Sequence, residues 1–234
     1  MSAIVIFLAA IAAVVGWWLS RQRLMSKPWL EAGPVTAFPE TEASLMHPAK
    51  IGLGVFLAVV GALFALLISA YFMRMVYADW QAAPVPRILW LNTAMLALAS
   101  VALQGAVSAA HKGRLDNLRL ALLTGALTSV AFLGGQLLAW RDFAAEGYFA
   151  TENPAASFFY LLTAMHGLHI IGGLVALGRV NVRAWQGVRS DRLVLSTELC
   201  AMYWHVLFVV WIVLFSVLMG WAADLIDICR GLLT

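Results

Sequence analysis

The sequence predicts an all-α, polytopic membrane protein with six transmembrane helices, one N-terminal helix followed by a five-helix bundle. Of its 234 residues, 63% are hydrophobic and only 12% are charged, and the mean hydropathy is +0.88. Soluble domains average about 25% charged residues, so this chain has more apolar surface than one soluble core can bury. The apolar residues also fall into separate runs, each close to the length of a bilayer-spanning helix.

Six apolar segments define the predicted spans, at 3–19, 51–73, 88–110, 118–140, 157–178 and 199–222. Helices are expected because membrane-spanning strands would alternate in polarity, and these runs do not. The first segment has 17 residues and ends in Trp17 and Trp18, a pair typical of the membrane interface. It lacks the basic start and the A-x-A site of a secretory signal, so we predict that it spans the membrane.

The same pattern divides the chain into domains. We predict an N-terminal transmembrane helix at 1–22, a cytoplasmic linker at 23–50, a five-helix bundle at 51–225 and a periplasmic tail at 226–234. The linker contains several prolines, which interrupt helices.

Positive charge alternates from one loop to the next. Eleven of the fifteen Lys and Arg residues lie in loop 20–50, in loop 111–117 with the residues just past it, and in loop 179–197. The positive-inside rule places these loops in the cytoplasm. We therefore predict a multi-pass protein of the bacterial inner (plasma) membrane, with the N-terminus and the C-terminus both outside, in the periplasm.

Four ionisable side chains stand inside the last two predicted spans or at their edge: His166, His169, Glu198 and His205. A charge at the centre of a transmembrane helix costs roughly 2.5–3.5 kcal/mol, so each of these groups needs a partner. Glu198 and His205 are seven residues apart, about 10 Å along a helix. This separation is too long for a direct hydrogen bond, so they need separate partners.

The expected depth of each group in the membrane indicates which partners it can reach. Glu198 is level with Arg179 and Arg183 of the preceding loop, so we expect it to pair with a basic residue there. The histidines are expected to form a polar cluster at mid-depth. Two plainer interpretations stay open: Glu198 as a favourable acid in the first turn of its helix, and each histidine as a neutral core imidazole.

Two other classes of membrane protein fit less well. A b-type cytochrome membrane anchor ligates haem with histidines on facing helices, but the clean two-histidine, two-helix pattern is absent. A small transporter usually has more intramembrane ionisable groups and broken helices, whereas every proline here falls in a loop. Two cysteines are too few for a zinc site, and the sequence has no HExxH motif, no clustered ligand set and no nucleotide-binding loop. We expect no metal, no catalytic site and no nucleic-acid partner.

Three motifs resemble those of subunit III of the haem-copper terminal oxidases, the cytochrome c oxidase subunit 3 family. FFYLLTAMHGLHIIGG at 158–173 is similar to a family signature with its HGLH core, and LWLNTAMLALASVAL at 89–103 is similar to an earlier helix of the family. The last span matches the family's final helix through its Glu and its Tyr-Trp-His triplet, and a basic family position follows HGLH. The matching residues are Glu198, Tyr203, Trp204, His205 and Arg183. The resemblance covers about residues 47–222.

The resemblance implies a non-catalytic accessory subunit of a respiratory complex that reduces oxygen to water and translocates protons. It implies oxidase subunits I and II as partners, with the haems and copper in those subunits and no cofactor in this chain except structural phospholipids. A polar seam or lipid site would be formed by Arg183, Glu198, His205, His166, His169, Trp204 and Tyr203. An accessory subunit of a related quinol oxidase or nitric oxide reductase is the alternative.

Two positions depart from the family pattern. The family usually carries an acid in a FLxSE-like stretch, where this chain has FLAVV with Val60 at the acid's place. It also tends to have an Asp three residues after the Tyr-Trp-His histidine, where this chain has Phe208. The proton-handling role implied by the first of these acids is therefore not carried over.

Overall fold

The computed structural model describes residues 48–81, 84–151, 153–187 and 191–221, and these residues form five helices. Their bounds are α1 Pro48–Arg74, α2 Ile88–His111, α3 Leu115–Ala145, α4 Pro154–Trp185 and α5 Asp191–Leu218. All five are long and apolar enough to cross a membrane, which confirms the all-α membrane class and the five-helix bundle. The predicted N-terminal helix at 1–22, most of the linker and the tail at 226–234 lie outside the described residues.

The helices extend beyond the apolar runs that predicted them. The predicted span at 157–178 corresponds to a helix that continues through Trp185, and the last helix begins at Asp191 rather than at 199. Hydropathy marks only the part of a helix in hydrocarbon, whereas backbone hydrogen bonding continues into the headgroup region until a cap ends it. At the start of α4, for example, Asn153 accepts a hydrogen bond from the Ala155 amide.

Tight turns and loops connect the helices. Between α2 and α3, Gly113 has a φ of 66°, a left-handed conformation that glycine adopts without steric cost. At the C-terminal end of α1, Arg74 donates a hydrogen bond to Asp79 (Nη1 to Oδ1, 2.7 Å). This bond holds the pKa of the Asp79 carboxyl below its usual value, since the guanidinium stabilises the charged form.

Helices α2, α3, α4 and α5 close into a ring in which each packs against the next and α5 returns to α2. Helix α1 lies outside this ring and contacts α5 and, less extensively, α4. The main core fills the ring, while a second, smaller core joins α1 to α4 and α5 through Val60, Phe64, Tyr71, Leu162, Leu214 and Val217.

In the part of the chain that the structure describes, three tryptophan indoles donate hydrogen bonds to hydroxyl groups on other helices. The donor and acceptor pairs are Trp140 with Thr163 (3.0 Å), Trp204 with Ser129 (2.9 Å) and Trp211 with Thr93 (2.9 Å). They link α3 to α4, α5 to α3 and α5 to α2. Hydrocarbon offers an indole N–H no other acceptor, so each bond fixes both the spacing and the rotation of two helices.

Each accepting hydroxyl also donates to a carbonyl of its own helix. Ser129 donates to the Gly125 carbonyl at 2.7 Å, and Thr93 and Thr163 make the same bond four residues back. The hydroxyl proton is therefore used within the helix, and the oxygen lone pairs remain free for the indole. Serine and threonine can serve both neighbours, whereas alanine or valine at the same place would leave the indole unpaired.

This arrangement predicts the effect of removing one acceptor. Ser129→Ala should lower the unfolding free energy by about 1 kcal/mol, because the fully buried Trp204 indole loses its only partner among the described residues. The measurement is a denaturant titration in detergent micelles, followed by tryptophan fluorescence and far-UV circular dichroism.

Ser216→Ala is the matched control. Ser216 also donates to a carbonyl four residues back, that of Ile212, through an exposed hydrogen bond. Among the described residues, no indole N–H donates to its hydroxyl. Its substitution should leave the midpoint of unfolding nearly unchanged. Equal midpoints for the two variants would contradict a structural role for the indole bonds.

Candidate functional site

Glu198 joins three helices at the end of the bundle where α1 begins and α2 ends. Its Oε2 lies 2.7 Å from Lys50 Nζ of α1, and its Oε1 lies 2.8 Å from His111 Nε2 of α2. The Glu198 side chain is 19% exposed, against 30% for Lys50 and 56% for His111. Both carboxylate oxygens are thus paired, and the acid connects α5 to two neighbours.

The expectation that Glu198 pairs with Arg179 or Arg183 was wrong. The segment expected to be their loop is largely helical, so both arginines are fixed on exposed positions of α4. The plainer interpretation of Glu198 as a first-turn acid was also wrong, because α5 begins at Asp191, two turns earlier. Asp191 occupies the first turn instead.

His205 points toward α2 and bonds with both ring nitrogens. Its Nε2 lies 3.0 Å from Gln104 Oε1, and its Nδ1 lies 2.5 Å from the Ser100 hydroxyl. An amide oxygen can only accept, so Nε2 carries the proton and Ser100 donates to Nδ1. The neutral imidazole is held in one tautomer by two residues of α2.

His166 and His169 occupy a different place, against α1. His166 is fully buried, and neither of its ring nitrogens has a hydrogen-bond partner among the described residues. Its ring lies 5.6 Å from that of Phe132 and 5.1 Å from that of Trp211, between centroids. An imidazolium would be costly in these surroundings, so the ring is a neutral part of the core.

His169 is half-buried and forms a hydrogen bond within its own helix. Its Nδ1 lies 2.7 Å from the Met165 carbonyl oxygen, and its ring lies 5.4 Å from that of Phe64 on α1. Its backbone carbonyl accepts a hydrogen bond from the Tyr203 hydroxyl at 2.8 Å. The predicted single cluster of histidines is therefore wrong, because His205 faces α2 while His166 and His169 face α1.

Within the described ranges, no group of three or more His, Cys, Asp or Glu side chains could hold a metal ion. Val60, which stands where the resembled family carries an acid, also lies in apolar surroundings. Val60 is only 4% exposed and packs in the smaller core with Phe64 and Leu214. Phe208 likewise packs against the main core.

An apolar groove of about 330 Å³ lies between α1, α4 and α5. It is lined by Leu53, Phe56, Gly172, Gly173, Ala176, Leu199, Cys200, Tyr203 and Trp204. A Cβ at Gly173 would lie 2.5 Å from Tyr203 Cε1 and 2.9 Å from the Trp204 ring. Glycine at this position therefore lets α4 approach the two aromatic rings and shapes the groove.

Arg183 stands beyond one end of this groove. It follows Ala176 by seven residues, which places it on the same face of α4 and about 10 Å farther along the axis. Its side chain is exposed in the last turn of the helix. In the described part of the chain, no ion pair or hydrogen bond of its guanidinium is found.

Sequence reasoning missed Lys50, His111, Ser100 and Gln104. Lys50 and His111 were assigned to loops, although both stand on helix ends level with Glu198. Gln104 could have been found, since an amide inside an apolar span needs a partner for the same reason as an ionisable group. Gly172 and Gly173 follow two residues after the HGLH motif, but the sequence alone did not predict a groove there.

Comparison with known proteins adds to this geometry. The family described as cytochrome c oxidase subunit III matches residues 42–223. A probable cytochrome c oxidase subunit 3 of Nocardia farcinica is 30% identical over 190 residues, which cover 78% of this chain and 94% of the relative. A cytochrome c oxidase subunit 3 of Thermostichus vulcanus is 30% identical over 179 residues, covering 74% and 88%. A cytochrome bo(3) ubiquinol oxidase subunit 3 of Pseudomonas aeruginosa is 31% identical over 140 residues, covering 58% and 66%.

The connection made by Glu198 can be measured with a double-mutant cycle. We expect Lys50→Met and Glu198→Leu to show a coupling of about 1 kcal/mol in unfolding free energy, because each change alone removes one member of the Lys50–Glu198 ion pair and leaves the other in place. Lys112→Met combined with Glu198→Leu should be additive, since Lys112 is exposed in the turn after α2 and is not bonded to Glu198. Additivity in both cycles would refute the ion pair as a stabilising contact.

Proposed function

Because this chain belongs to the cytochrome c oxidase subunit III family, we propose that it packs against the catalytic subunit I of its oxidase and holds a structural phospholipid there. The chain is an accessory subunit of a haem-copper oxidase and a multi-pass protein of the plasma membrane. Subunits I and II would carry the haems and copper. The end of the bundle that carries Lys50, His111 and Arg183 would face the cytoplasm, as the positive-inside rule favours.

The single observation that carries the lipid proposal is the alignment of an unpaired arginine with an apolar groove. Arg183 and Ala176 share one face of α4, so a lipid whose acyl chain lies along Gly172 and Ala176 would place its phosphate near the guanidinium. Arginine binds phosphate through two parallel hydrogen bonds, whereas lysine acts only as a point charge. A charge-assisted contact of this kind contributes roughly 1.5–3 kcal/mol.

Glu198 and the histidines have structural roles in this proposal. Glu198 has both oxygens paired, which favours a tie between helices over a proton carrier. Tyr203 and Trp204 line the groove, while His205 binds α2. This chain would then support proton uptake by stabilising the structure of subunit I, with no proton path through its own helices.

The electron donor of the complex is a separate matter. The similar proteins include subunits of cytochrome c oxidases and of a ubiquinol oxidase, so the fold of this subunit serves both. A quinol oxidase is therefore the second candidate complex. Affinity purification through this chain, with subunit identification by mass spectrometry and a visible spectrum of the haems, tests the assembly and separates the two. Purification from membranes without any haem-containing subunit would refute it.

The lipid proposal predicts a specific loss. In the purified complex, Arg183→Ala should reduce the phospholipid that remains bound after detergent washing and shorten the active lifetime during turnover, while Arg183→Lys should retain an intermediate amount. Native mass spectrometry of the complexes gives the bound lipid.

Arg114→Ala is the control, because Arg114 is an exposed arginine at the same end of the bundle but precedes α3, away from the groove. It removes the same charge and so has the same effect on topology. Equal lipid retention in the Arg183 and Arg114 variants would exclude Arg183 as an anchor.

A further inference from the structure

Polar groups are exposed on the outer surface of the ring where α2 meets α5. Gln104 of α2 is exposed, and His205 of α5 is partly exposed beside it. The Gln104 amide oxygen accepts from His205 Nε2 at 3.0 Å, which leaves the two N–H groups of its amide nitrogen directed elsewhere. Among the described residues, nothing accepts a hydrogen bond from this nitrogen.

The depth of Gln104 makes this unpaired amide unusual. It lies seven residues before His111, the last residue of α2, and so about 10 Å inside the helix end. Lipid acyl chains offer no hydrogen-bond acceptor, and an unsatisfied N–H in hydrocarbon is costly. In the assembled protein this amide therefore needs an acceptor that lipid does not supply.

Other membrane-facing positions of the ring do not share this feature. The exposed positions of α3 include Leu120, Leu127 and Val130, and those of α4 include Leu168 and Val175. Thr124 of α3 is exposed and polar, but its hydroxyl donates to the Leu120 carbonyl of its own helix. These faces suit lipid, whereas the face around Gln104 does not.

The residues next to Gln104 are suited to a close neighbour. Gly105 and Ser108 are exposed on the same side of α2. A Cβ at Gly105 would meet nothing within 4 Å, so packing within the described chain does not require glycine there. Small residues on a transmembrane helix allow another helix to approach closely enough for hydrogen bonds between them.

We propose that the α2 face formed by Val101, Gln104, Gly105 and Ser108 is the docking surface for a transmembrane helix of a partner subunit of the oxidase. The partner helix packs over Gly105 and supplies a hydrogen-bond acceptor to the Gln104 amide nitrogen. His205 and Ser100 hold the Gln104 amide in the orientation that presents its donors outward. The inference rests on the proposed function, because it takes the occupant from the oxidase complex.

A pair of glycine substitutions tests this surface. Gly105→Leu adds a bulky group on the face and should reduce the recovery of haem-containing subunits with the tagged chain by about tenfold or more, since it separates the helices. Gly134→Leu is the matched control. Gly134 is also exposed, within α3, and a Cβ there also meets nothing within 4 Å, so recovery should match that of the unsubstituted chain.

The results separate this inference from the proposed function. If the unsubstituted chain recovers no haem-containing subunit, the proposed function fails. If the unsubstituted chain recovers them and the two leucine variants recover them equally, only the docking surface fails.

A photo-crosslinking residue placed at Val101 in native membranes gives a second readout that does not depend on the leucine variant folding. It should yield an adduct with another oxidase subunit, while the same residue at Leu127 of α3 should yield lipid adducts. Lipid alone at position 101, a second copy of this chain, or a link within the chain would each overturn the proposal.

Discussion

Hydrocarbon offers no hydrogen bonds, and this constraint determines how the helices of the ring are arranged. Every indole N–H turned toward the core must find an acceptor on another helix, and Trp140, Trp204 and Trp211 each find a hydroxyl. Because each hydroxyl also donates to its own helix, the bonds fix helix rotation without leaving a polar group unpaired. Apolar packing among leucines alone would allow many rotations of similar energy, since lipid tails solvate leucine equally well.

Helix α1 is held by different means. It lies outside the ring, and among the described helices it contacts α5 and α4, through the smaller core and through the Lys50–Glu198 ion pair. Its looser packing leaves the groove between α1, α4 and α5, where Gly173 lets the aromatic rings of Tyr203 and Trp204 approach α4. The groove thus arises where the tightly bonded ring meets a helix that is attached at fewer points.

Exposed polar groups that have no partner within the described chain mark the surfaces that need an external one. Glu198 and His205 have partners within the described chain, while the Arg183 guanidinium and the Gln104 amide nitrogen do not. The first stands at a helix end, at the depth of phosphate groups, and the second stands about 10 Å inside a helix, at the depth of acyl chains. A phospholipid headgroup fits the first, and only a protein acceptor fits the second.

The sequence by itself determined the class, the five described spans and the family, because each depends on local information: runs of apolar residues and short motifs such as HGLH. It also placed Glu198 at the correct end of the bundle, since depth follows from position along a helix. It did not identify Lys50 and His111 as the partners of Glu198, nor Gln104 as the partner of His205. Those contacts depend on how each helix is rotated and which helices are neighbours. Packing between residues far apart in the chain sets both, so only the tertiary structure decided them.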